Sequence, residues 1–149
     1  MDSNVARRIA RANHAGQRTR FGDSVIEHLG NVARGVAPEA RAVAWLHDLF
    51  ELTEVDCEQL RAQGLTDTEE TTLELLTRGP ADSYDAYVMR IALAPGQAGY
   101  LARMIKLADL RDHLAHEHAP PGAPPYAWAH RCVLEHAGTE PEPVPALAV

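Results

Sequence analysis

An all-α bundle of seven or eight helices is the fold the sequence predicts. Three observations point to it: apolar residues recur at helical spacing in one segment after another, capping residues and Gly or Pro bound those segments, and no stretch shows strand alternation. The 149 residues suffice for one domain with its own core, taken as residues 1–137, followed by a proline-rich tail, 138–149, expected to be disordered. With 46% apolar but only 5% aromatic residues, that core must be built from Ala, Leu, Val and Ile, which suits close helix packing.

Asp2 or Ser3 can cap a first helix to about Asn13, with Val5, Ile9 and Ala12 along one side, and 14–22 reads as a loop. Ser24 and Glu27 have capping-box spacing, and Val25, Ile26, Leu29, Val32 and Ala33 make the next helix amphipathic, with His28 upon it. Pro38 suits the start of a third helix whose apolar run through Val43, Leu46, His47 and Phe50 should be central and mostly buried. A short helix from about Asp56 ends at Gly64, and Thr66 with Glu69 opens another that Gly79-Pro80 terminates. Ser83 caps a helix with Tyr84, Tyr87 and Ile91. After Pro95-Gly96 the longest helix runs from about Gln97 to His116, with Leu101, Met104, Ile105, Ala108 and Leu114 facing the core and Asp109 two-thirds along. Beyond a proline-rich connector, Tyr126 to Ala137 form a last helix that docks through Trp128, Val133 and Leu134.

A net charge of −7 and a pI near 5.5 argue against a DNA-binding surface, which needs clustered Lys and Arg, but leave room for a small anion. Arg7, Arg8, Arg11, Arg18 and Arg20 crowd the first twenty residues, as a solvated face or as an anion site. Cys57 and Cys132 lack paired spacing, so neither a disulfide framework nor a zinc ribbon is expected. With no apolar signal core and no membrane span, the expected compartment is the cytoplasm.

The chemistry sits where charge interrupts apolar runs. His47-Asp48 ends such a run, and a carboxylate there needs a cation or a polar partner. Adjacent helical side chains point about 100° apart, so the two share an ion only if it lies between them, with further ligands from other helices. His28 and Asp109 interrupt their own helices in the same way. Together these four make a mixed nitrogen and oxygen set suited to manganese, iron, zinc or magnesium. On spacing alone, a hydrogen-bonded core histidine is the alternative for each imidazole.

The ordered string Ala12, His14, Gly16-Gln17-Arg18, Gly22, His28, Val32-Ala33, then Ala44-Trp45-Leu46-His47-Asp48-Leu49-Phe50-Glu51, Thr53, and finally Ile105-Lys106-Leu107-Ala108-Asp109-Leu110 resembles the HD-domain metal-dependent phosphohydrolases. It is most similar to the hydrolase domain of RelA/SpoT-type proteins and the small stand-alone alarmone hydrolases, over residues 5–116. The resemblance implies one divalent ion, manganese above others, on His28, His47, Asp48 and Asp109. It implies Glu51 as the acid that orients or deprotonates the attacking water, and helical spacing puts Glu51 one turn beyond His47. Arg18 corresponds to a basic residue near the nucleotide, where its planar fork suits phosphate. Lys106 can meet a phosphate or pair with a surface acid.

The chain departs from that pattern at three places. Leu52 stands where alarmone hydrolases carry a second acid, His113 where they carry a nucleotide-contacting asparagine, and Leu29 where they carry proline. His113 keeps a hydrogen bond to offer substrate; Leu52 can neither take a proton nor order water. The resemblance thus implies hydrolysis of a nucleotide phosphate or pyrophosphate linkage, with guanosine-3',5'-bis(diphosphate) one substrate. The alternatives are a nucleotidase or phosphodiesterase with another small substrate, and a catalytically silent nucleotide-binding protein.

Overall fold

The computed structural model describes residues 1–138, so the expected tail lies outside the described residues from 139 on. Among the described residues the chain is helical and has no strand, only an isolated bridge between Arg18 and Ser24. The helices are α1 Ser3–Asn13, α2 Val25–Arg34, α3 Arg41–Leu46, α4 Leu49–Leu52, α5 Cys57–Arg61, α6 Asp67–Leu76, α7 Tyr84–Leu93, α8 Gly96–Leu114 and α9 Tyr126–His136. Counting α3 and α4 as one helix interrupted at His47 and Asp48 gives eight, within the seven or eight expected. None is long and apolar enough to cross a membrane.

Local sequence sets most boundaries. Asp2 accepts from the amides of Asn4 and Val5 to start α1, Ser24 accepts from Glu27 to start α2, and Thr66 with Glu69 closes a full capping box on α6. Gly64 turns the chain out of α5 at φ 97°, a left-handed conformation that costs glycine nothing.

Three faces differ from the sequence expectation. On α1 the side chains pressed fully inward are Ala6 and Ala10, with Val5 and Ile9 half-buried and Ala12 exposed, because small residues let α1 lie close against α3. Leu114 and Leu134 remain exposed, the first in the last turn of α8 and the second on the outer side of α9, while Tyr126, Ala129 and Val133 make the α9 contact. The third helix does not run unbroken to Phe50. It passes through a turn at His47 and Asp48, where His47 keeps helical dihedrals and Asp48 is shifted to φ −96°, ψ 0°, before α4 resumes.

At the centre, α8 packs against α2, α6, α7 and α9, and α3 against α1, α2 and α6. Between Leu101 and Leu110 every residue of α8 but Met104 is buried, so this helix has no solvent face there. Three charges lie on that stretch, and each has a partner. Arg103 donates through Nη1 to the carbonyls of Ile91, Ala92 and Ala94, the last at 2.6 Å, and so closes the C-terminal end of α7. Lys106 and Asp109 pair with one another at 2.7 Å.

The entry of α8 is tight. A Cβ on Gly99 would stand 2.0 Å from the carbonyl oxygen of Ala94, a backbone atom that cannot swing aside. Gly99→Ala should therefore cost about 2 kcal/mol or more, lowering Tm by roughly 5 °C in a thermal melt; an unchanged melt would show that α8 can shift freely at its start.

Candidate metal centre

Three helical elements deliver four side chains to one place. His28 comes from the buried face of α2, His47 and Asp48 from the break between α3 and α4, and Asp109 from the buried stretch of α8. Nε2 of His28 lies 3.2 Å from Asp109 Oδ1 and 3.9 Å from Asp48 Oδ2. Nε2 of His47 lies 3.7 Å from Asp109 Oδ1 and 3.5 Å from Asp48 Oδ1. Neighbouring helical side chains point about 100° apart, yet at the α3–α4 junction Nε2 of His47 and Oδ1 of Asp48 approach to 3.5 Å, so one ion can lie in the angle between them. All four sequence candidates thus converge.

The protonation geometry favours a cation. His47 Nδ1 donates to the carbonyl of Ala44 at 2.8 Å, and His28 Nδ1 to Asp112 Oδ2 at 2.7 Å. Each ring is therefore held so that Nε2 points inward; both Nε2 atoms are buried and neither makes a well-aligned hydrogen bond, the nearest acceptor being Asp109 Oδ1, 3.2 Å from His28 and 3.7 Å from His47. Buried polar atoms are seldom left so. Imidazoles anchored through Nδ1 to a carboxylate or carbonyl, with Nε2 free, form the arrangement that metal-ligating histidines use. These buried His and Asp groups can hold a metal ion.

Without an ion the carboxylates draw protons onto the rings. Burial opposes charge on His28, but hydrogen bonding and charge from Asp109 and Asp112, with Asp48 beyond, outweigh it and push the pKa up to about 10. His47 is raised as well, its burial outweighed by Asp48 and Asp109. For Asp109, burial alone would raise the carboxyl; the Lys106 ammonium and the surrounding imidazoles hold it well below its ordinary value.

The cluster lines a cavity of about 290 Å³, shared with Arg18, Arg20, Glu51, Leu52, Arg78, Tyr84, Lys106, His113 and Tyr126. Glu51 stands on its wall, where its Oε1 accepts from the Arg78 amide at 2.6 Å. Burial of the carboxylate raises its pKa, with that amide pulling the other way and the charge of Asp48 adding to the rise. Arg18 reaches the cavity from the exposed loop after α1, its guanidinium donating to the Gly22 carbonyl at 3.4 Å. Lys106 is buried in the cavity lining and pairs with Asp109 Oδ2 at 2.7 Å, a buried carboxylate and not the surface acid expected, with the Tyr87 ring beneath the ammonium at 5.1 Å. His113 also sits among the ligands: its Nε2 is 3.0 Å from Asp109 Oδ1. His14, part of the motif string, is fully buried and bonded to Gln17 at 2.7 Å and is not among the residues lining the cavity.

No known family model matches the chain, and no curated protein does either. The likeness to HD-type hydrolases therefore rests on the quoted residues alone.

Two contributors were not found by sequence reasoning. Asp112, one helical turn after Asp109, fixes His28 and also accepts from Asn31 at 2.9 Å; its only signal was the i, i+3 spacing from a proposed ligand. Arg78 enters from the end of α6, far in sequence from every motif, and nothing local marked it. A further grouping, Cys57 with Glu70 and Glu74, lies elsewhere, and there Glu70 is already engaged by both arms of Arg61.

Asp112→Asn weakens the anchor of His28 and should lower divalent-metal affinity about 10- to 100-fold, measured by chelator competition; equal affinity would separate Asp112 from the site. With its pKa pushed up to about 10, His28 has a proton that metal binding near neutral pH must displace, and the upward shift of His47 acts in the same direction. Affinity should rise with pH up to about 10, and calorimetry in buffers of different ionisation enthalpy should register proton release. Affinity independent of pH would contradict ligation by these rings.

Proposed function

We propose that this chain is a metal-dependent phosphohydrolase acting on a phosphate or pyrophosphate linkage of a nucleotide, guanosine-3',5'-bis(diphosphate) being the substrate its motif resemblance suggests. The observation that carries the reading is the pair of buried Nε2 atoms of His28 and His47, neither in a well-aligned hydrogen bond, facing Asp48 and Asp109 in a cavity that also holds Arg18, Arg20 and Arg78. His28, His47, Asp48 and Asp109 would hold one divalent ion, manganese by resemblance, with iron, zinc and magnesium also compatible with the donor set. Such an ion supplies Lewis-acid stabilisation of phosphoryl charge and lowers the pKa of water toward neutrality.

The chain's own residues supply the rest. The guanidinium forks of Arg18, Arg20 and Arg78 take up phosphate oxygens, a task suited to planar bidentate donors. The cavity is at the lower end of the small-ligand range, enough for phosphate groups with the nucleoside toward the mouth. Glu51, steadied by the Arg78 amide, takes the proton of the attacking water as the new P–O bond forms. The P–O bond to the leaving group breaks and the leaving group departs with its electron pair. Burial raises Glu51 toward the range where a carboxylate accepts protons more readily.

A second reading has one observation in its favour. Leu52 lines the same cavity and puts an aliphatic side chain where the resembling hydrolases have an acid, which suits a nucleotide-binding protein without turnover.

A manganese-supplemented screen of nucleotides, with products identified, should give turnover by the wild type that Asp109→Ala abolishes and Glu51→Gln reduces about 10²- to 10⁴-fold. A phosphate or nucleoside product in place of pyrophosphate would move the substrate class to a nucleotidase or phosphodiesterase. Nucleotide binding without turnover, with turnover gained on Leu52→Asp, would replace the enzyme with the silent binder.

A further inference from the structure

His113 does more in this cluster than its sequence position suggested. Its Nε2 meets the same oxygen, Asp109 Oδ1, that faces His28 and His47, so one carboxylate oxygen has three imidazole nitrogens at 3.0, 3.2 and 3.7 Å. Donors in adjacent positions on an octahedral ion, each about 2.1 Å from it, are about 3 Å apart. The His113 to Asp109 spacing already matches that separation. His28, Asp109 and His113 form a group whose ligand atoms lie within 4.8 Å of one another, as do His28, His47 and Asp48. His28 belongs to both, while His113 and the His47–Asp48 pair stand in separate groups, so one ion shared by all five would draw the two groups together.

The ring is also held for the purpose. It stacks on His28 at 4.8 Å and 16° and on Tyr126 at 4.7 Å and 20°, with Phe21 a further stacked neighbour at 5.4 Å. A side chain that reaches out for substrate needs freedom to move; this one is clamped between two aromatic faces with Nε2 directed at the cluster.

We infer that His113 is a fifth protein ligand of the same ion, giving three imidazoles and two carboxylates and leaving one position of an octahedron for water or a phosphoryl oxygen. This rests on the metal site proposed above. Three nitrogen donors move the preference away from magnesium and manganese toward iron(II), cobalt(II) or zinc. A hydrogen bond from His113 to Asp109 would also support metal binding, so loss of affinity alone does not separate ligand from positioning residue.

The test is therefore direct observation of the loaded protein. Zn²⁺ would be introduced into crystals of the wild type and located by anomalous diffraction, and Co²⁺ would be added in solution to wild type and His113→Gln, whose amide can still donate to Asp109. The expected result is His113 Nε2 within about 2.3 Å of the ion, together with a visible Co²⁺ absorption spectrum that changes in intensity and position in His113→Gln. An ion held by His28, His47, Asp48 and Asp109 with His113 Nε2 beyond 3 Å, or superimposable Co²⁺ spectra, overturns the inference and leaves the four-ligand site intact. An ion not bound by these residues at all overturns both. Five-ligand coordination with no hydrolysis of any nucleotide sustains the inference while removing the proposed enzyme.

Discussion

Everything at this site follows from placing the carboxylate of Asp109 inside the most deeply buried helix. An ionised carboxylate removed from water is strongly disfavoured unless positive charge and hydrogen bonds surround it. Here one oxygen takes the Lys106 ammonium from the preceding turn of α8, and the other faces the imidazoles of His28, His47 and His113. Lys106 is buried on its own account, and its pKa is raised despite that burial by the Asp109 charge and the surrounding Tyr87 and Tyr84. The pair is thus mutually dependent: removing either partner strands the other in a low-dielectric interior, which is the costly outcome for buried ions.

That constraint explains the architecture around it. α8 must be central so that Asp109 can meet groups from α2 and from the α3–α4 junction, and a central helix has no polar face to give to solvent. Its charges therefore come with dedicated partners: carbonyls of α7 for Arg103, and each other for Lys106 and Asp109. The imidazoles are fixed from behind by Asp112 and the Ala44 carbonyl, so little ordering is left for an incoming cation to impose. Such pre-organisation favours binding because the entropy of aligning the ligands has already been met in folding.

Much of this was legible in the chain. Caps and terminators located the helices, because a Ser or Thr oxygen at an N-cap and a glycine at a left-handed turn act locally. Charges inside apolar runs identified His28, His47, Asp48 and Asp109, since only a partner justifies them. What the chain hid was tertiary. The meeting of His47 and Asp48 with groups from α2 and α8 depends on the packing of α3, and the use of Ala6 and Ala10 in place of Ala12 depends on how closely α1 approaches it. Arg78 reaches the cavity only because α6 ends beside it, and the role of Asp112 needs the fold to bring α2 and α8 together. His113 was noted as a substitution, yet nothing in its spacing says that its nitrogen would share an oxygen with two other rings.

The side chains gathered on Asp109 are arranged to hold a cation. Elemental analysis after equilibrium dialysis against a mixture of divalent metals tests it most directly, run on the wild type and on His47→Ala. One transition-metal ion retained per wild-type chain, and none by the variant, is the expected result. A wild type that emerges metal-free, or a variant that retains the same ion, would contradict it.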